Sequence, residues 1–145
     1  MKKNRPKILF IDIETQPDLA YVWEKYETNV IAYKEYWKLL SFAWKWKGKK
    51  VDVVSGRQFK QKDLVKCLWD LFDEADIIVG HNSNSFDIKK SNALFIKHNL
   101  TAPSPYKTVD TKVVAKRYFK FHSNKLDDLG DYLDLGRKIQ TGGFN

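Results

Sequence analysis

The chain has a single cysteine, Cys67, so it can form no internal disulfide. The expected home is therefore a reducing interior, the cytoplasm, rather than an oxidising compartment. No apolar run approaches the roughly 20 residues needed to span a bilayer, which excludes a helical membrane protein as the expected class. The opening Met1-Lys2-Lys3-Asn4-Arg5-Pro6 is basic, but a strand-like run follows it, not the apolar stretch with small residues of a signal peptide. Internal repeats and low-complexity linkers are also missing, and 145 residues suit one domain, 1–145, with one core.

The apolar fraction of 43% is ordinary for a globular chain and argues against disorder. The formal net charge is +8, with an isoelectric point near 9.4. A basic surface favours a polyanionic partner, because contacts to phosphates release counterions. Seven Tyr, nine Phe and five Trp offer faces on which bases stack, although burial in a core accounts for many such rings.

Strands and helices alternate along the chain. Residues 7–13 are apolar and β-prone, which predicts a central strand buried on both faces and ended by Pro17. Between residues 18 and 37, Leu19, Val22, Tyr26, Val30, Tyr33 and Trp37 recur at spacings of three or four, which predicts a helix interrupted near Thr28-Asn29. Residues 40–47 alternate large apolar with small or basic side chains, as in a half-covered strand. Gly48-Lys49-Lys50 then turns the chain into a returning strand over 51–54. From Asp63 the period becomes helical, with Leu64, Cys67, Leu68, Leu71, Phe72 and Ala75 on one stripe; Cys67 reads as a small core residue there. A short buried strand over 76–80, a polar loop, a helix over 86–100, a strand over 108–111 and a helix over 113–119 follow. Ser123-Asn124 is a candidate cap for a last helix over 125–135, which Gly136 ends. The expected class is therefore α/β, with a mixed central sheet flanked by helices.

The residues with most chemical content are acids at strand ends. In Asp12-Ile13-Glu14 the two carboxylates stand at i and i+2, on the same side of a strand. They lie at its C-terminal end, where α/β proteins place their sites. Paired carboxylates repel each other unless a cation joins them, and hard oxygen donors suit Mg²⁺ or Mn²⁺. Two solvated acids at an exposed strand end are the plain alternative. A nucleophilic-aspartate phosphatase would also begin with an acid at a strand end, but it wants a second Asp two residues on and a glycine after it, and Glu14-Thr15-Gln16 does not match. The second feature is Gly80-His81-Asn82-Ser83-Asn84-Ser85-Phe86-Asp87, a strand running through a polar loop into a helix that opens near Asp87. An acid in a first helical turn also complements the helix dipole without any further role.

Phe10-Ile11-Asp12-Ile13-Glu14-Thr15 resembles the first motif of the DEDD-type 3′→5′ exonucleases of the ribonuclease H-like superfamily. Asn82-Ser83-Asn84-Ser85-Phe86-Asp87 is similar to their second motif, in the form found in the proofreading domains of family B DNA polymerases. The stretches around Val109-Asp110-Thr111, Ser123 to Leu129, Leu135 to Lys138 and Thr141-Gly142-Gly143 resemble small stand-alone or phage-borne relatives. This resemblance implies a ribonuclease H-like fold and a metal-dependent 3′→5′ exonuclease acting on nucleic-acid ends, with single-stranded DNA as the expected partner and a host cytoplasm as its place if the chain is viral. It implies two Mg²⁺ or Mn²⁺ ions on Asp12, Glu14 and Asp87, and substrate contacts from Thr15, Asn82, Phe86 and Lys125. The fourth acid of the family lies in a last helix, four residues after a Tyr or His. Here Tyr132 is followed four positions later by Gly136 and His122 by Leu126, so neither fits, and the fold is expected to be C-terminally truncated. The alternatives are a nucleic-acid-binding or regulatory module with impaired chemistry, or a fragment completed by a partner chain or by self-association over the truncated edge. Asp127, Asp128, Asp131 and Asp134 read as a solvated helical face. Lys116 to His122 interleaves basic and aromatic residues and reads equally as a strand-tracking surface or as a helix end with rings in the core. His81 reads as a loop hydrogen-bonder.

Overall fold

The computed structural model describes residues 5–25 and 29–137. The readings made for Tyr26 and Thr28, and for the Thr141-Gly142-Gly143 end, lie outside those residues. No helix among the described residues is long and apolar enough to cross a membrane.

A five-stranded mixed sheet organises the chain, in the order β5-β4-β1-β6-β7. Strand β1 (Ile8–Gln16) is central, antiparallel to β4 (Lys38–Trp46) and parallel to β6 (Ile77–Gly80). Beyond β4 the hairpin closes on β5 (Asp52–Ser55), through a turn in which Gly48 takes a φ of 83°. Beyond β6 lies β7 (Lys107–Asp110), also parallel. Helix α1 (Gln61–Glu74) leads into β6, and α2 (Asp87–Lys97) is the crossover that parallel neighbours β6 and β7 require. Helices α3 (Thr111–Tyr118) and α4 (Leu126–Tyr132) follow.

The core lies between one face of the sheet and the pair α1–α2. Leu9, Ile11, Ile13, Phe42 and Ile78 supply the sheet side. Leu64, Leu68, Phe72, Leu94 and Phe95 supply the helix side. Phe72 meets Phe95 edge-on at 5.4 Å between ring centroids, and Tyr106 likewise at 5.7 Å. Each such pair contributes about 0.5–1.5 kcal/mol beyond the area it buries. Gln61, at the start of α1, both donates to and accepts from the Leu39 backbone at 2.8 Å, which staples α1 to β4.

Two expectations are corrected. Strand β1 is central, but only one face is buried: Leu9, Ile11 and Ile13 are covered, whereas Phe10 is 37% exposed and Asp12 and Glu14 are open. The apolar run hid the alternation because Ile8 and Phe10 occupy the uncovered face. The predicted helix between residues 18 and 37 is instead an antiparallel ribbon, β2 (Leu19–Tyr21) with β3 (Ala32–Glu35). A helical period has force only when one face of the helix is buried, and every residue of β2 and β3 is exposed. The β-prone Tyr21, Ile31 and Tyr33 then decide the local structure. Asp18 ties the base of the ribbon by accepting the Trp37 N–H at 2.5 Å.

At the other end of the chain, α4 starts after Lys125 with no side-chain cap. Ser123 acts just before it, donating its hydroxyl to Asp128 at 2.6 Å. Cys67 is half-buried against the core, and burial raises its thiol pKa, as expected for a packing residue.

Candidate functional site

The C-terminal ends of β1, β6 and β7 lie side by side, and three segments meet there. The first is Asp12-Ile13-Glu14-Thr15. Strand alternation puts Asp12 and Glu14 on the open face. Between Glu14 and Thr15 the register with β4 shifts: Glu14 pairs with Ser41 and Thr15 with Leu39, leaving Leu40 as the extra residue of a bulge. A bulge strengthens the local twist and re-aims the side chains beside it. Thr15 is half-buried just past that point.

The second segment is the loop from β6 to α2. Gly80 ends β6, and a Cβ there would lie 2.6 Å from the Ser83 Cβ and 3.2 Å from the Ile11 carbonyl oxygen. Only glycine lets the loop fold back so closely. Asn82 takes φ 62°, a left-handed conformation that asparagine tolerates, and its carbonyl accepts the Phe86 N–H at 3.1 Å. The fully buried Ser83 carbonyl accepts the Ile88 N–H at 2.9 Å and fastens the loop to the first turn of α2. Phe86 caps α2 and packs partly into the core, so its ring is a wedge under the site as well as a candidate contact.

The third segment begins at Asp110, at the end of β7, a residue that the sequence motifs did not assign to the site. Asp110 is buried, and its carboxylate accepts four backbone N–H groups: Asn82 at 2.9 Å, Asn84 at 3.1 Å, Lys112 at 2.9 Å and Val113 at 3.4 Å. It caps α3 and shapes the loop in one stroke. An Asp directly before a helix is the sequence signal that marks such a cap. His81 is the hydrogen-bonder expected of it. Its Nε2 donates to the Asn124 carbonyl at 2.7 Å, and its Nδ1 meets the Thr111 hydroxyl at 2.9 Å. That link brings the exposed Lys125, next in the chain to Asn124, alongside the loop.

Asp87 is the group on which these segments converge. It is 4% exposed, in the first turn of α2, and its Oδ2 accepts the Ile13 N–H at 3.0 Å. The β1–β6 ladder runs only through Phe10, so Asp87 takes over the edge of β1 where β6 has ended. It is bonded to the backbone between Asp12 and Glu14. Its pKa is pushed up to about 6, chiefly by burial; the Ile13 N–H and its own backbone N–H oppose the shift, and the negative charges of Asp12 and then Glu14 add to it. The three acids therefore share one electrostatic environment. Among the described residues, no group of three or more His, Cys, Asp or Glu side chains is closed tightly enough to hold a metal ion. Asp12 and Glu14 rise from the sheet face, while Asp87 reaches β1 from its edge.

The acids of α4 are less free than a solvated face implies. Arg137 pairs with Asp127 at 3.0 Å and Asp131 at 2.9 Å and approaches Asp128 at 4.0 Å. The Ser123 hydroxyl, then Arg137, Lys125 and His122, hold the Asp128 pKa below its ordinary value. In the basic–aromatic stretch, Phe119 and Phe121 stack at 5.3 Å, and Phe121 and His122 both meet Tyr132 at 5.8 Å. Tyr118 and Phe119 stay largely exposed, so this is a surface cluster, not core.

With a five-stranded mixed sheet and four helices among its described residues, the chain is an α/β protein. No protein-family model matches it, and no curated protein matches it in sequence. Among solved structures it is similar in fold to a family B DNA polymerase from the hyperthermophilic archaeon Pyrobaculum calidifontis. The TM-score is 0.65 and the identity 17%, over 92% of this chain and 19% of the polymerase chain. The chain thus spans about a fifth of that polymerase's length, and the likeness is one of fold.

Proposed function

We propose that this chain carries a metal-dependent 3′→5′ exonuclease site of the ribonuclease H-like kind, hydrolysing phosphodiester bonds at the ends of single-stranded DNA. The observation that carries the reading is the bond from the Ile13 N–H to buried Asp87, which anchors a third carboxylate to the strand backbone between Asp12 and Glu14, where burial first and then the charges of those two acids raise its pKa. Repulsion of this kind is relieved by a cation, and an all-oxygen donor set fits Mg²⁺ or Mn²⁺. The fold likeness to a family B polymerase and the two sequence motifs point the same way.

The donor chemistry fits a hard divalent ion, and Asp12 and Glu14, being exposed, have the rotamer freedom to turn toward Asp87. Such ions, when bound, supply an activated water and neutralise charge developing on the phosphate. The chain's own part is positional. Gly80, Ser83 and Asp110 fix the loop so that Asp87 presents its carboxylate at the edge of β1. Asp12 and Glu14 hold the hard donors on the sheet face. Thr15, Asn82, Phe86 and Lys125 border this edge and orient the terminal nucleotide. Water adds across the P–O3′ bond, releasing a nucleoside 5′-monophosphate and leaving a new 3′ hydroxyl on the shortened strand.

The test is incubation with 5′-labelled single-stranded DNA, with Mn²⁺ and with chelator. A ladder shortening from the 3′ end with Mn²⁺ alone, and lost in Asp87→Asn, is the expected result. The open spacing of the three acids favours a second reading, a nucleic-acid-binding module without hydrolysis; binding with no ladder at any Mn²⁺ concentration selects it and ends the first.

A further inference from the structure

The β2–β3 ribbon leaves the sheet directly after the candidate site and returns beside it, since Lys38 at the start of β4 pairs with Gln16, two residues past Glu14. Every residue of its two strands is exposed. Trp23 is 81% exposed and Tyr36 66% exposed, and Tyr21 and Tyr33 stand open with them. Tyr21 and Tyr33 on the strands, and Trp23 and Tyr36 just beyond them, are four large rings outside the buried core.

Their neighbours are cationic. Lys90 Nζ lies 3.9 Å from the centroid of Trp37, and Lys97 Nζ 5.5 Å from that of Tyr36. The Tyr33 and Tyr36 rings are 5.7 Å apart at 38°. Asp87, Lys90, Leu94 and Lys97 follow at i, i+3, i+7 and i+10, so they share one stripe of α2. At 1.5 Å per residue that stripe runs roughly 15 Å from the candidate site. It ends at a cleft of about 260 Å³ whose lining includes Glu35, Tyr36, Trp37, Lys38, Lys97 and His98. Pockets for drug-sized ligands run to about 300–1,000 Å³, so this cleft suits one flat ring rather than a whole cofactor.

We propose that the β2–β3 ribbon and the adjoining stripe of α2 grip single-stranded nucleic acid as it enters the site, with bases stacked on Tyr36 and Tyr33 and phosphates met by Lys90 and Lys97. Alternating rings and cations are what such a strand needs, because every base has a stacking face and every linkage a charge. Tyr36 keeps most of its surface open even with Lys97 beside it. A second copy of the chain is the competing occupant. It would bring Lys34, Lys38, Lys90 and Lys97 of both copies together, on a chain already at +8, and like charges at an interface repel. The acids near the ribbon, Asp18, Glu24 and Glu35, are fewer than those lysines, and Asp18 already accepts the Trp37 N–H. The grip rests on the nuclease reading only for what lies at its end; binding to the ribbon does not require hydrolysis.

The experiment separates the two. Anisotropy of a fluorescein-labelled oligothymidylate is measured in EDTA with the wild-type chain, Tyr36→Ala and Lys97→Glu. The same proteins are given the p-nitrophenyl ester of thymidine 5′-monophosphate with Mn²⁺, a substrate too short to reach the ribbon. Loss of one stacked base raises Kd by about 5- to 100-fold in Tyr36→Ala. Lys97→Glu weakens binding and flattens the salt dependence by about 0.7 in log–log slope for each phosphate it no longer neutralises. Ester hydrolysis stays at the wild-type rate in both. If the variants lose the strand while no protein cleaves the ester, the grip stands and the nuclease reading falls. If the ester is cleaved but neither variant changes Kd by as much as twofold, or the wild type binds no strand, the grip falls. Sedimentation showing a dimer that Tyr36→Ala breaks and oligothymidylate does not overturns it as well. Both side chains are exposed, so unchanged melting curves are expected and serve as the folding control.

Discussion

Asp87→Asn tests the electrostatic account of the site without any catalytic assay. The change keeps the shape of the side chain and an oxygen that accepts the Ile13 N–H, while removing the charge. In the folded chain Asp87 titrates near 6 against an ordinary value of 3.8, so its ionised form is disfavoured by burial and by its acidic neighbours. A group whose folded pKa is raised binds its proton more tightly in the native state. Stability from this group is therefore fully present below about pH 4 and is lost as pH rises through 6. A shift of about two units corresponds to about 3 kcal/mol at most. In EDTA, wild type and Asp87→Asn should thus be close in stability near pH 4, and by pH 8 the variant should be the more stable by about 1–3 kcal/mol. For a chain of this size that is roughly 3–10 °C in Tm. Adding Mn²⁺ should raise the wild-type Tm at pH 8, because a bound cation removes the repulsion, and should raise the variant's far less. The assay is thermal unfolding by circular dichroism across pH, with and without the ion. Parallel pH profiles for the two proteins, or an equal response to Mn²⁺, would refute the reasoning.

The neighbouring residues give further tests. Gly80→Ala forces a Cβ to within 2.6 Å of Ser83 and should destabilise the fold by about 1–3 kcal/mol in urea titration, with a larger loss of the proposed nuclease activity because the loop carrying Asp87 must shift. Asp110→Ala orphans four backbone N–H groups and should cost about 3 kcal/mol or more, while Asp110→Asn, which keeps one acceptor oxygen, should cost less. Arg137→Ala breaks only exposed ion pairs and should leave the urea midpoint almost where it is, with any small shift erased by added salt. Affinity of the wild type for single-stranded DNA should fall steeply with salt, and a flat dependence would remove nucleic acid as the partner.

What was legible in the sequence was whatever a buried face imposed. Leu64, Leu68, Leu71 and Phe72 repeat because α1 must cover the sheet, and the structure places the helix at Gln61–Glu74. The alternation of residues 40–47 likewise became β4, and residues 51–54 its return strand. The β2–β3 ribbon was illegible for the converse reason. With no buried face, its apolar spacings carried no structural meaning, and a chance period of three and four suggested a helix. Asp12 and Glu14 could be named in advance because acids at the end of an apolar strand are conspicuous, and Asp87, in a first helical turn, only through the motif resemblance that joins it to Asn82 and Phe86. The relation among them could not, because it depends on a single bond across 74 residues, from the Ile13 N–H to Asp87.

The two buried aspartates at this edge show how one residue type serves opposite ends. Asp110 accepts from four backbone donors, so its oxygens find their partners where they lie, and its work is to hold the loop. Asp87 has the Ile13 N–H and its own backbone N–H against two acids, and burial deprives it of water. A fold seeking only stability would fill the Asp87 position with asparagine, which makes the same bond to β1 without the charge. An aspartate there keeps a buried carboxylate under stress at neutral pH, and that stress is relieved only by a proton or a cation. Stress localised on one group beside two more oxygen donors is what the proposed ion would relieve, and what the Mn²⁺ response of Asp87→Asn tests. The rigid scaffold that Gly80, Ser83 and Asp110 provide is what keeps Asp87 from swinging out to solvent to escape it.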